Sequence, residues 1–337
     1  MRPRLPGIAV ALTLSACGPT ASGKAALSTL PLGAVSILQV PASNPLSCQR
    51  VALGQRLFFD QRLSRGGETS CSTCHDPSRA FTDGRRVAIG DGATVGTRNA
   101  PTLLGRAYGR FQFWDGRATT LEEQALQPFT NPREFANSHD EIERRLRDDR
   151  AYRRDFASAF AATKPTATLA AFALASFVRT LVTGDSPVDR FLLLQDSTAL
   201  TPAGRRGLEL FSFKAGCVRC HEPPLFSDES FHNTGIAWRD SLYADSGRSA
   251  ITRRVEDAGA FKTPTLRNVA LTAPYMHDGS IRTLEEVVEF YDRGAKENPH
   301  LDPLLRALKL TAGEKADLLE FLRALTGTAS PRSRGGC

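Results

Sequence analysis

The sequence predicts a mainly α fold, made of one module used twice and joined by long irregular loops. Three observations carry that expectation. First, "DGRATTLEE" at 115–123 returns as "DGSIRTLEE" at 278–286. A shift of 163 residues aligns Pro101–Pro128 with Pro264–Tyr291 without gaps, and 10 of the 28 positions are identical. Second, each copy follows a CxxCH pattern, "CSTCH" at 71–75 and "CVRCH" at 217–221, and then "FTD" at 81–83 or "FSD" at 226–228. Third, helix signals recur and strand signals are scarce. A Thr or Ser with Glu three residues later marks helix starts at Thr120/Glu123, Ser138/Glu141, Thr283/Glu286 and Thr311/Glu314.

The elements follow in chain order. "MRPRLPG" is short and basic, and "IAVALTLSA" is an apolar run too short to span a bilayer. The run ends in "LSAC" at 14–17, which resembles the lipobox of bacterial lipoproteins. Residues 1–16 are therefore expected to be a lipoprotein-type signal peptide, with Cys17 as the lipidated residue. A plain secretory signal with an incidental cysteine is the alternative, and either one exports the protein. The expected location is the periplasm or cell surface, held to a bacterial membrane by the lipid anchor only. Residues 17–47, beginning "CGPTASGKAALST", read as a flexible tether.

The first module is expected over 48–195 and the second over 196–330. Residues 166–183, "TATLAAFALASFVRTLVT", form the most apolar stretch; Arg179 and several Thr and Ser interrupt it, so it reads as a buried core helix. Thr201–Pro202 suits a helix start, and "KADLLEFLRAL" has helical apolar spacing. Gly and Pro cluster in 84–101 and 223–264, which read as loops wrapped around something.

Composition narrows the class. The chain has 337 residues, 41% hydrophobic and 23% charged, as in folded soluble proteins with a sizeable core. Net charge is +7, or +5 once Arg2 and Arg4 leave with the signal (41 basic against 36 acidic residues). The basic residues are scattered with no aromatic interleaving, which argues against nucleic acid as a partner.

Four of the seven cysteines, Cys71, Cys74, Cys217 and Cys220, belong to the CxxCH pairs; Cys17, Cys48 and Cys337 remain. In c-type haem proteins this spacing lets two thiols add to the haem vinyl groups while the adjacent histidine reaches the iron. Two CxxC pairs sharing one zinc, or a redox disulfide, are the competing readings. The histidine in both pairs, the repeat and the export signal favour two covalently bound c-type haems, with His75 and His221 as ligands. The fold is then two cytochrome c-like haem domains related by internal duplication. A Cys48–Cys337 disulfide is left open.

The copies differ where the iron's other face is at stake. At the last aligned position one offers Tyr291 and the other Pro128. A phenolate binds ferric iron, whereas proline has no side-chain lone pair. One haem is therefore expected to be closed by Tyr291 and the other open beside Pro128. The bland alternative makes Tyr291 a core aromatic and Pro128 a helix end. Met276 is a rival ligand, although it aligns with Phe113.

Over roughly residues 50–325 the chain resembles the bacterial di-haem cytochrome c peroxidase and MauG family, through the two CxxCH sites, "FWDGRATTLEEQALQPFTNPREF" and "TPTLRNVALTAPYMHDGSIRTLEEVVEFY". The resemblance implies a peroxidase using hydrogen peroxide. It implies Trp114 as an electron relay between haems, Gln124 lining the distal pocket, and Glu134 as acid/base for peroxide. It also implies one Ca2+ between the haems, on Asn99, Thr272 and Pro274, the last two through backbone oxygens. Ordinary members place methionine fourteen residues after the histidine of the "HDG" motif. Here that position is Tyr291, as in the MauG and MbnH branch. Residues 84–101 also lack the histidine that blocks the peroxidatic haem in many members.

The expected function is thus a MauG-like peroxidase forming a high-valent di-haem state that oxidises a protein partner. The alternative is a cytochrome c peroxidase removing hydrogen peroxide with electrons from a small cytochrome or cupredoxin. A lipid-anchored electron carrier with two closed haems is a third, non-enzymatic class.

Overall fold

A computed structural model of the chain describes residues 31–34, 38, 40–162 and 164–331. The expected signal peptide, Cys17 and Cys337 lie outside the described residues. Cys48 is disulfide-bonded.

The helices are α1 (Cys48–Phe58), α2 (Cys71–Cys74), α3 (Leu121–Thr130), α4 (His139–Asp148), α5 (Arg150–Phe160), α6 (Ala167–Val178), α7 (Pro187–Leu194), α8 (Pro202–Ser212), α9 (Ser249–Thr252), α10 (Leu284–Asp292) and α11 (Ala312–Ala324). Strands are short and pair in twos: β1 (Leu181–Gly184) with β6 (Thr328–Pro331), β2 (Phe231–His232) with β5 (Phe261–Lys262), and β3 (Trp238–Arg239) with β4 (Leu242–Tyr243), all antiparallel. No described helix is long and apolar enough to cross a membrane.

Two apolar cores form, one from Leu53 to Leu181 and one from Val188 to Leu325. α7 supplies Val188 and Phe191 to the second core, so that core begins before the 195/196 boundary drawn from the sequence. Each core rests on one helix crossing closed by glycine. A Cβ on Gly54 of α1 would overlap the Ala173 carbonyl of α6, and one on Gly207 of α8 would overlap the Asp317 carbonyl of α11. Without a side chain there, the backbones come into contact. An aromatic trio runs from each crossing towards a CxxCH motif. Phe177, Phe58 and Phe81 pack at ring separations of 5.1 and 6.2 Å, and Phe321, Phe211 and Phe226 at 4.8 and 6.3 Å.

The apolar stretch 166–183 is not one helix. α6 ends at Val178, and 181–184 are strand β1. Arg179 is the C-cap residue of α6, and its guanidinium makes a bidentate pair with Glu122, at 2.6 and 2.7 Å. The four predicted helix starts all carry their N-cap hydrogen bond. Only Thr283/Glu286 and Thr311/Glu314 close the reciprocal box. Glu123 turns instead to Thr119, and Glu141 to Arg144 and Arg145, partners that compete for the same carboxylates.

Two buried ties brace the second core. Arg267 clamps Asp189 with two bonds of 2.9 Å, both side chains about 95% shielded. The Asn268 side-chain oxygen accepts from Thr183 and from the Gly327 N–H.

Candidate functional site

The CxxCH motifs are built alike. Cys71–Cys74 forms one helical turn capped by Ser70, and Cys217–Arg219 one 3-10 turn after Gly216 at φ +64°. In each, the histidine N–H donates to the first cysteine's carbonyl at 2.9 Å. In each, histidine Nδ1 meets a backbone carbonyl: His75 that of Phe81 at 3.1 Å, and His221 that of Phe226 at 2.9 Å. Phe81 (φ +59°) and Phe226 (φ +53°) both sit in the left-handed region, an uncommon state for a bulky residue. The strained turn presents the carbonyl to the ring. With Nδ1–H donating, Nε2 keeps its lone pair for a metal.

Burial pushes the Cys71, Cys74 and Cys217 thiols up to about 12. It also pulls both motif histidines below their ordinary range, so they are neutral. Such surroundings suit uncharged thioethers and a neutral imidazole ligand. The four thiols are free. Among the described residues they are not gathered into one ligand cluster; the one group of three possible ligands is Cys220, Asp228 and His232.

A cavity of about 290 Å³ opens beside the second motif. Cys217, Cys220 and His221 line it, with apolar walls such as Leu284, Val288 and Leu322. The donor set and the apolar lining together fit a covalently held haem. Tyr291 of α10 lines the same cavity, and so does Met276. Burial raises the Tyr291 phenol, and the nearby Cys217 and Cys220 sulfurs raise it further.

Pro128 lies inside α3, near its end. Proline brings no N–H to the Gln124 carbonyl four residues earlier, and the helix stops after Thr130. Gln124 and Pro128 are thus one turn apart on α3, both partly buried. Glu134 follows on the next loop. Its Oε1 accepts from Asn131 Nδ2 at 2.6 Å, and its backbone carbonyl accepts from Asp91. Burial pushes its carboxyl above the ordinary range, against the Asn131 hydrogen bond and the Arg117 charge. Glu134 is close enough to Cys71 and Cys74 to disfavour their thiolates, which places it at the first motif.

Trp114 lies at the contact between the two halves of the chain, where its carbonyl accepts from the Lys262 N–H at 2.8 Å. Its Nε1–H donates to the Asn99 carbonyl at 2.9 Å, and its ring lines the cavity of the second motif. Asn99, Thr272 and Pro274 line that cavity too; the Asn99 amide donates to the Arg85 carbonyl at 2.9 Å. His277 aligns with Trp114 under the 163-residue shift. It stacks on Phe261 at 3.5 Å, and burial pulls it down to about 4.

Three features escaped the sequence reading. His232 lies between Asp302 (2.6 Å) and Asp228 (2.9 Å), beside Cys220. Arg98 bridges Asp115 and Asp245. Arg106, Glu229 and Lys262 form a buried charged cluster. The aspartate of "FSD" hinted at the first; distant pairings gave no local signal for the others.

Comparison with known proteins places this arrangement. The family model for di-haem cytochrome c peroxidases matches residues 48–197. The chain is 41% identical over 286 residues to the methylamine utilization protein MauG of Methylorubrum extorquens, covering 85% of this chain and 80% of that protein. It is 36% identical over 292 residues to the cytochrome c551 peroxidase of Nitrosomonas europaea, covering 86% and 84%. Among solved structures, a MauG-like protein associated with microbial copper homeostasis superposes with a TM-score of 0.81 at 38% identity, over 88% of this chain and 96% of that one. The chain belongs to the di-haem cytochrome c peroxidase and MauG family, which makes it a haem peroxidase and implies two c-type haems.

Proposed function

We propose that this chain is an exported peroxidase of the MauG type, lipid-anchored through Cys17, which oxidises side chains of a protein partner. The overall change is H2O2 + 2 H+ + 2 e− → 2 H2O, with both electrons drawn from the partner. The observation that carries this reading is the mismatch at one position of the repeat: Tyr291 faces the cavity of the second motif, whereas its counterpart is Pro128.

Haem bound at the two motifs would supply one iron centre open to peroxide and a second, Tyr291-ligated centre to share the oxidising equivalents. The chain's own residues do the rest. Cys71, Cys74, Cys217 and Cys220 anchor the groups, and His75 and His221 ligate them through Nε2. Glu134, held by Asn131, accepts the proton of the near peroxide oxygen and returns it to the leaving oxygen. Gln124 orients peroxide or water, and Pro128 leaves that face without a competing ligand. Trp114 offers a π-system between the two sites. Asn99, with the Thr272 and Pro274 carbonyls, supplies oxygens for one Ca2+, and waters complete its shell.

The test mixes fully oxidised protein with one equivalent of peroxide, without reductant, and follows visible and near-infrared absorbance. A rapid, long-lived new spectrum with a near-infrared band supports the reading. No change until one haem is reduced overturns it. The relatives named cytochrome c peroxidase favour a second reading, removal of peroxide with electrons from a small cytochrome or cupredoxin. Steady turnover with reduced cytochrome c supports that one, and a covalently altered partner supports the first.

A further inference from the structure

The contact between the two modules is reciprocal in its backbone and unequal in its charge. Asn99 donates its N–H to the His277 carbonyl, and Lys262 donates its N–H to the Trp114 carbonyl, both at 2.8 Å. Residues 99 and 262, and residues 114 and 277, are each separated by the 163 residues of the repeat. Asn99 and Lys262 therefore occupy matching positions, and only Lys262 carries a charge.

Lys262 is 7% exposed. Its Nζ donates to Glu229 Oε1 at 3.3 Å and to the Thr263 carbonyl at 3.2 Å. An ammonium has three donors, so one remains. Glu229, 5% exposed, is already clasped by Arg106 at 2.7 and 3.1 Å. Two shielded cations thus share one carboxylate. An unbalanced buried charge is costly, and the usual remedy is an anion with matching hydrogen bonds. Burial, and the Arg106 charge after it, pull Lys262 down to about 7, against the opposing charges of Glu229 and the more weakly acting Asp228. Arg106 and Lys262 both line the cavity that reaches Cys217, Cys220 and His221.

We propose that Lys262, supported by Arg106, receives a propionate carboxylate of the haem held at the second motif, and that its charge holds that haem's reduction potential up. Lys262 is a positioning residue in this scheme. The proposal rests on the reading of Cys217, Cys220 and His221 as a haem site.

The experiment is an EPR-monitored potentiometric titration of the two-haem protein and of K262M, K262R and E229Q, with total haem measured per chain. K262M is expected to lower the reduced-to-oxidised ratio of the Tyr291-side haem about tenfold at fixed applied potential. E229Q, which removes the competing anion, raises that ratio, and K262R stays near the parent. Opposite signs for K262M and E229Q distinguish a charge effect from a packing defect, which would move both the same way. Unchanged potentials, or shifts of one sign, overturn the proposal and leave an ordinary ion pair. Parent protein with a single haem at the first motif overturns the underlying reading of the site instead. Should K262M fail to fold, E229Q still decides: a raised ratio is expected, and an unchanged or lowered one overturns the proposal.

Discussion

Replacing Glu134 by Gln separates proton transfer from packing more cleanly than any other change at the first motif. The carboxyl accepts one hydrogen bond, from Asn131 Nδ2 at 2.6 Å. An amide oxygen keeps that bond, so the loop should hold its shape. What disappears is the basic oxygen. Positioned acid–base groups contribute about 10²–10⁴-fold, or roughly 3–5 kcal/mol of barrier, and the rate of reaction with peroxide should fall by that factor in stopped-flow mixing. The pH profile supplies a second readout. Burial raises the Glu134 pKa, so the active carboxylate form is lost, as pH falls, from above the ordinary glutamate range. E134Q should be slow at every pH and lack that acid limb. Stability should move the other way. A raised pKa in the folded state means that the protonated form favours folding; this contribution is present below the unfolded pKa and lost as pH rises through the folded one. At neutral pH the buried carboxylate is a burden that Gln removes, so E134Q should melt no lower than the parent. An E134Q protein that reacts with peroxide within about twofold of the parent, with its acid limb intact, would refute the proton-shuttle role.

Other expectations can be checked directly. Tyr291→Phe should keep both haems by haem content but abolish the near-infrared band after peroxide; a surviving band would shift attention to Met276. Arg117→Met removes a charge that holds the Glu134 pKa down, so the acid limb should move to higher pH. Gly54→Ala and Gly207→Ala each drive a methyl group into a facing carbonyl and should cost about 1–3 kcal/mol or more, read as a lower urea midpoint. Arg267→Ala strands the buried Asp189 and should cost about 3–5 kcal/mol in the same assay.

The motifs, the repeat and most helix ends were legible because they are local. CxxCH places its three donors within five residues, and N-cap side chains reach only three residues along the chain. The mismatch of Tyr291 with Pro128 was visible because the repeat supplied its own alignment. Fold class followed from the same short-range signals. The end of α6 was misread because residues 166–183 read as one apolar stretch, and nothing nearby names Glu122, 57 residues away, as the partner of Arg179. Trp114 and Glu134 were singled out through resemblance; tertiary packing put one at the module contact and the other beside Cys71 and Cys74. The Arg106–Glu229–Lys262 cluster was invisible in sequence. Its members look like surface charges until folding brings residues 106, 229 and 262 together and removes water from around them. The sequence by itself determined which groups can bond to haem and iron, because that chemistry lives in residue type and short spacing. Only the tertiary structure decided which charges meet in the interior, because burial and long-range pairing arise when the two cores close on each other.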